Sequence, residues 1–471
     1  MSAIFRIGAV SLALLHIAGV FLPRAPILPM FLASLAMLIP GLFLMSKSFR
    51  NAACIFLAMG VGILVWTGQP FEVWMTSFSG MTNTVAIMVA LQLFSVPVAA
   101  GRYDRAIESW AARHIKSRRA LFAFSTFVPH IFASFLMLGA IPVSMSLLGP
   151  AIEARVDNHE RFLSAAMSRG YVLAVIWAPG AINLFLVVQA TGVAWSSILL
   201  PGFLLALCGL GASILMESGK HGAIREGRAP SGGPGSGMPA ILPSLAAKAE
   251  NQAVRRIFYV ASGIVVGVLA LEALKVGVGY SRILIAGTAL SLAWIAVTAG
   301  DPEVRARSGV REAFAEYWRN GILKVSDIGP FFVAMGVFSG AIQASGYLDA
   351  IAPALRASTQ FLGLWSVFLL PLVIIGLSLL GLHPIMTIVL FGTVLAKAGM
   401  PVPPLAIALA LATGGAASYM ISPFAGIIMS LAKYTRSSAW QIAVRWNGAF
   451  SLVFYAMGIV FSLAWGYLFG R

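Results

Sequence analysis

Charge is scarce in this sequence. Asp, Glu, Lys and Arg together make up 10% of it, while 59% is hydrophobic. A soluble domain carries about 25% charged residues, so a soluble globular chain is excluded. Acids are the scarcer sign, 16 against 32 basic residues. No paired carboxylates lie in the apolar runs, and there is no Gly-rich nucleotide loop, zincin His pair or Ser nucleophile elbow. The chain is therefore expected to be neither an enzyme nor ATP-driven, and to need no cofactor or metal. Cysteine is nearly absent. Cys54 and Cys208 are too few for a metal cluster, and both sit in apolar runs. Buried packing thiols are the expectation, with a disulfide as the alternative. Nothing resembles a zinc finger or a basic helix with interleaved aromatics. The net charge of +16 is thus not assigned to nucleic acid.

What is present is a series of long apolar runs, each near the roughly 20 residues that span a bilayer. They cover 4–22, 27–46, 51–67, 80–99, 121–150, 170–190, 195–215, 257–276, 281–299, 327–344, 361–399, 402–432 and 447–469. The stretch 217–256 contains the Gly-Pro-Ser sequence 229–240 and reads as a flexible linker. The fold class expected is all-α: a polytopic membrane protein of about 11 crossings plus two re-entrant hairpins. Runs 121–150 and 361–399, broken by Pro129, Pro142, Pro371 and Pro384, read as hairpins or as helix pairs. The expected organisation is a three-span scaffold (1–79), a first repeat (80–216), a cytoplasmic linker (217–256), a two-span scaffold with a charged segment (257–325) and a second repeat (326–471).

Lys and Arg collect on cytoplasmic loops. Segments 46–50, 101–120, 151–162, 217–256, 301–324 and 433–445, with Arg6, hold 25 of the 32 basic residues. Placing them inside puts the N-terminus in the cytoplasm, and a bacterial-type inner membrane is the expected location.

Two blocks repeat at one offset. GRYDRAI (101–107) pairs with SGYLDAI (345–351), matching Tyr103 with Tyr347, Ala106 with Ala350 and Ile107 with Ile351. Residues 161–182 pair with 405–426, matching Gly170 with Gly414 and Pro179 with Pro423; every pair is 244 positions apart. Segment 101–120 is basic and its partner 345–360 nearly neutral, whereas 188–196 is uncharged and its partner 432–440 basic. The copies are thus expected in opposite orientations, the pattern of many secondary transporters.

Irregular backbone at membrane depth survives only against protein or a water-filled cavity. The breaks at Trp177–Asn183 and Ile421–Gly426 are therefore the site candidates. A helix restarting after proline offers free N–H groups and a positive dipole end to an anion, and freed carbonyls suit Na⁺. Pro179, Gly180, Asn183, Thr413, Gly414, Ser418, Ser422 and Pro423 form the expected substrate set. A packing kink is the alternative. Arg169 could grip a carboxylate or reach back to the cytoplasmic surface. His130 and His383, inside the long runs, are candidates for a coupling proton or for structural histidines at hairpin tips. Glu272 and Lys275, three apart on one helical face, could pair; lying outside both repeats, they are expected to be structural.

With two inverted repeats, each holding a hairpin and a Pro/Gly-broken helix, the chain resembles the ion transporter superfamily over about residues 80–215 and 326–470. That superfamily includes dicarboxylate, citrate and gluconate permeases and the membrane subunits of tripartite carboxylate transporters. The Ser-Asn-Thr type signature of several members is absent at 177–183 and 420–426. The resemblance implies elevator-type transport of a small organic anion with H⁺ or Na⁺. The partners expected are that anion and membrane lipid, with a homodimer as a possibility. Flipping or export of a phosphate-bearing lipid-linked intermediate, through an opening lined by Arg169, Arg445 and Trp446, is the alternative. The mirrored arrangement predicts that impermeant thiol reagents reach cysteines placed in 101–120 and in 345–360 from opposite membrane faces. Labelling of both from one face would remove it.

Overall fold

The computed structural model describes residues 1–22, 27–101, 115, 117–136, 140–153, 155–218, 243–277, 279–347, 353, 357, 360–380, 384, 387–388 and 402–469. His383, most of the linker and most of the 101–107 and 345–351 motifs lie outside the described residues.

The described residues form helices joined by short connections. The first six are α1 (Ser2–Phe21), α2 (Ile27–Leu44), α3 (Lys47–Trp66), α4 (Phe71–Ser79), α5 (Thr82–Leu91) and α6 (Ser95–Ala100). Next come α7 (Arg118–Leu136), α8 (Ala140–Glu153), α9 (His159–Ala174), α10 (Ile182–Thr191) and α11 (Trp195–Ser218). They are followed by α12 (Pro243–Ala273), α13 (Gly279–Ala299), α14 (Pro302–Ala306), α15 (Gly309–Glu316) and α16 (Ile328–Ser345). The last are α17 (Trp365–Leu379), α18 (Pro404–Ile421), α19 (Gly426–Thr435) and α20 (Gly448–Phe469).

Among the described residues, eight helical stretches are long and apolar enough to cross a membrane. A ninth is added if the pair Gly309–Val325 and Ile328–Ala344, bent by 41°, counts as one span. Large apolar side chains such as Leu14, Leu32, Phe43, Ile55, Trp66 and Leu468 are exposed. No soluble monomer leaves so much apolar surface open to water. This is a multi-pass membrane protein, and these faces meet hydrocarbon.

The chain divides into two compact units. The first comprises Met1–Gly101, Ile264–Gly363 and Leu390–Pro401. At its centre is α16, buried without interruption from Ile328 to Phe338 and packed against α3, α4 and α2. Phe49 and Phe56 set their rings edge-on against Phe331. In α5 every residue is buried. His16 meets the Thr82 hydroxyl there at 2.9 Å, and the Tyr317 hydroxyl donates to the Val89 carbonyl at 3.1 Å.

Two readings of the sequence fail on the helix surfaces. Cys54 and Cys208 are free and exposed. In the Phe49–Trp66 stretch that carries Cys54, only 17% is buried. In lipid the outer face of a helix is as apolar as the inner one, so an apolar run does not tell a packing thiol from a lipid-facing one. Glu272 pairs with Arg282 at 3.6 Å rather than with Lys275. The helix ends at Ala273, and Lys275 turns to a φ of 55°, which takes it off the face it would share with Glu272.

The second unit comprises Arg102–Gly263, Leu364–Val389 and Val402–Arg471. Two of its helices are buried along almost their whole length: α9 from Phe162 to Ala174 and α18 from Leu405 to Met420. Around α9 pack α7, α8 and α11; around α18 pack α17, α20 and α10.

Glycine permits the closest crossings. A Cβ on Gly60 of α3 would lie 2.8 Å from the Phe338 backbone nitrogen of α16, while one on Gly62 would meet nothing within 4 Å. Gly60→Ala is expected to destabilise by about 1–3 kcal/mol through overpacking. Gly62→Ala is expected to be neutral or to stabilise by up to ~1 kcal/mol through helix propensity. Thermal unfolding of the detergent-purified variants checks both, and equal effects would contradict the crossing.

Candidate functional site

Both Pro/Gly segments interrupt helix as expected. After α9 ends at Ala174 the chain runs irregularly to Ala181 and restarts as α10. After α18 ends at Ile421 it is irregular to Ala425 and restarts as α19. The restarts correspond in detail. Ala181 and Ala425, 244 positions apart, are the extended N-caps, and each precedes a ten-residue helix. The C-caps Gly192 and Arg436, again 244 apart, are both left-handed. The last-turn hydroxyls of Thr191 and Thr435 each donate back four residues, to Val187 and Leu431, at 2.8 Å. Neither restarting helix has a side-chain cap, so its first N–H groups keep their donor capacity.

The matched glycines do matching work. A Cβ on Gly170 would overlap the Thr126 carbonyl and lie 2.8 Å from the Pro129 ring in α7. A Cβ on Gly414 would lie 2.6 Å from the Pro371 Cα in α17. Each broken helix is thus seated on a proline of the helix from the long run before it.

The first break is tied down by its tryptophan. The Trp177 indole N–H donates to His130 Nε2 at 3.3 Å, so Nδ1 of that ring carries the hydrogen and donates to the Gly170 carbonyl at 3.3 Å. The Trp177 carbonyl accepts from the Trp195 indole at 3.0 Å. Pro179 and Gly180 are buried beside them. The second break is tied by Ser422, whose hydroxyl donates to the Ser378 carbonyl at 2.7 Å and accepts the Phe424 N–H at 3.3 Å.

Asn183 joins the two halves. It stands at the second position of α10, 1% exposed, and its amide donates to the Ala412 carbonyl of α18 at 3.3 Å. Its Oδ1 rests against Gly415 and has no hydrogen-bond partner. Gly415, Ser418, Tyr419 and Ser422 follow at helical spacing along one face of α18. Tyr171 and Tyr419 set their rings 6.5 Å apart, edge to face. The two broken helices therefore meet along a small, polar stripe beside the restart of α10. Ser418 and Thr413 bond back to Gly414 and Leu409 of their own helix at 2.8 Å.

Arg169 neither reaches the surface nor points at the breaks. It is 1% exposed. Nε donates to Asn447 Oδ1 at 3.2 Å, Nη1 to the Ser213 hydroxyl at 3.4 Å and Nη2 to the Trp446 carbonyl at 3.1 Å. The guanidinium carbon lies 4.8 Å from the centre of the Phe450 ring. Glu217 Oε1 stands 3.6 Å from Nη2 and also accepts from Arg161 at 3.0 Å. Arg445 is exposed. Sequence reasoning missed Glu217, Asn447 and Tyr171. A carboxylate at the very end of an apolar run was the available signal for Glu217.

Replacing Asn183 with Leu removes an orphan acceptor, which costs about 1–3 kcal/mol while buried, and loses one long hydrogen bond. Asn183→Leu is therefore expected to unfold at or above the parent temperature. A fall of several degrees would mean that Oδ1 is satisfied.

No protein-family model matches the sequence, and no curated protein matches it. Solved structures do match. The Alcanivorax borkumensis YdaH transporter aligns at 13% identity and a TM-score of 0.51, over 89% of this chain and 98% of that one. Neisseria gonorrhoeae MtrF, described as illuminating a class of antimetabolite efflux pumps, aligns at 15% identity and 0.52, over 89% and 96%. The chain has the fold of membrane transporters.

Proposed function

We propose that this protein is a secondary active transporter of a small, carboxylate-like organic anion, driven by H⁺ or Na⁺, with an elevator-type cycle. The observation that carries the reading is the pair of broken helices, 244 positions apart, each restarting without a side-chain cap, the first of them at a buried restart. Helix restarts of this kind attract anionic groups. In transporters of known design such discontinuous helices hold the substrate at mid-membrane. Pro179, Gly180 and Asn183 at the α10 restart, with Gly414 and Ser418 on α18 and Ser422 and Pro423 in the break after it, form the proposed substrate contacts. Thr413, beside Gly414, faces Gly458 of α20 and completes the proposed set.

The resemblance to the ion transporter superfamily is part of this proposal, as are an inner-membrane location, a cytoplasmic N-terminus and a homodimer. His130 and His383 are its histidine candidates for the coupling proton. The fold neighbour from a class of efflux pumps favours export as a second reading of direction.

Purified protein in liposomes is expected to accumulate at least one anion from a panel of mono-, di- and tricarboxylates when an H⁺ or a Na⁺ gradient is imposed. Dissipating the gradient should abolish accumulation, and Pro179→Ala together with Pro423→Ala should lower it about tenfold or more, as misplaced binding groups do. Folded protein that moves no member of the panel under either gradient would refute the reading.

A further inference from the structure

Among the described residues, Arg169 and Glu217 are the Arg, Lys, Asp or Glu residues that are buried, at 1% and 7% exposure. Ionisable residues inside a membrane protein are costly and mark function by default. Two guanidinium groups, Arg161 at 3.0 Å and Arg169 at 3.6 Å, converge on one carboxylate oxygen of Glu217. These three side chains carry two positive charges and one negative.

The repeat supplies an internal control. Arg169 of α9 meets Ser213 of α11, with Glu217 one turn further along. At the corresponding crossing, Thr413 of α18 meets Gly458 of α20, with Ser462 one turn further along. The offsets are 244, 245 and 245. The second half builds the same crossing from Thr, Gly and Ser, without charge. Packing therefore does not require the arginine and the glutamate of the first.

We infer that Arg161 and Arg169 form an anion site whose resident occupant is the Glu217 carboxylate, and that an incoming carboxylate takes its place as Glu217 accepts a proton. This rests on the reading of the chain as an anion transporter and deepens it by naming the group that carries the coupling proton. The charges balance. With Glu217 ionised the cluster is net +1; with Glu217 neutral and one carboxylate bound it is again net +1. The proton comes from water and ends on a Glu217 oxygen, and no bond of the substrate is broken. Exchange thus avoids leaving a buried arginine without a counter-charge, and each carboxylate is matched by one proton.

The charged groups acting on Arg169 are Glu217 and Arg161. From α20 the cluster receives the Asn447 amide and the Phe450 ring, with the Trp446 carbonyl just before that helix. On α7, His130 is held by Trp177 and Gly170, and Arg118 lies over the Phe162 ring. Tyr419 of α18 packs on Tyr171, and α10 carries no titratable residue.

The test is acetate binding by the detergent-purified full chain, measured calorimetrically between about pH 6 and pH 8, where acetate stays ionised. One proton per anion requires wild-type affinity to rise about tenfold per pH unit lowered. Titrations in two buffers of different ionisation heat should then count one proton. Glu217→Gln should bind acetate with no pH dependence, and Arg169→Gln combined with Glu217→Gln should not bind it. A pH-independent wild type overturns the inference, as does a folded Glu217→Gln variant that binds no acetate. If Glu217→Gln does not fold, the wild-type slope and proton count decide alone. Failure here leaves anion uptake in liposomes intact, and a protein that binds acetate as described yet moves no anion loses only the transport reading.

Discussion

The constraint on which the second unit depends is that broken helix cannot lie bare in hydrocarbon. Each break at 175–181 and 422–425 exposes backbone groups that lipid cannot satisfy, at several kcal/mol apiece. The protein meets this by burying the whole of the first break and, in the second, Ser422 and Ala425, and by tying each with side chains. Trp177, His130 and Trp195 hold the first; Ser422 and the Ser378 carbonyl hold the second. Gly170 and Gly414, each seated on a proline, let the broken helices sink far enough to be covered. Because neither restarting helix has a side-chain cap, its first N–H groups are left with donor capacity. The polar stripe of α18 and the orphan Oδ1 of Asn183 lie beside that capacity.

Much of this was legible in the sequence for a physical reason. Proline and glycine act on the backbone locally, so Pro179, Gly180 and Pro423 announce the breaks whatever surrounds them. The 244-residue offset, found from a few shared residues, recurs in the caps at Ala181 and Ala425 and in the terminal threonines. Span positions followed from hydropathy alone, as Ser281–Ala299 and Gly448–Phe469 illustrate.

Facing was not legible. In water an amphipathic helix shows its buried side by periodicity; between protein and lipid both sides are apolar. Cys54 and Cys208 were misplaced for that reason, and Tyr171 passed as an ordinary apolar position. Glu217 was missed for a different one. It opens the polar stretch that reads as linker, so composition assigned it to water, while helix α11 continues through it to Ser218. Its partner Arg161 lies 56 residues away, and no local pattern reports such a contact.

The departures from repeat symmetry carry more information than the symmetry. Where the halves agree, at caps, hinges and proline seats, they serve the requirement to hide broken backbone, which both must meet. Where they differ, that requirement is silent. Thr413 occupies the place of Arg169 and bonds only its own helix, against a glycine where the first half has Ser213. Ile427 stands where the first half has Asn183. A buried charge pair and an unpaired amide oxygen are both costs to stability, and one half folds without either. Selection for the fold alone would remove such costs, so what keeps them in one half is something other than packing.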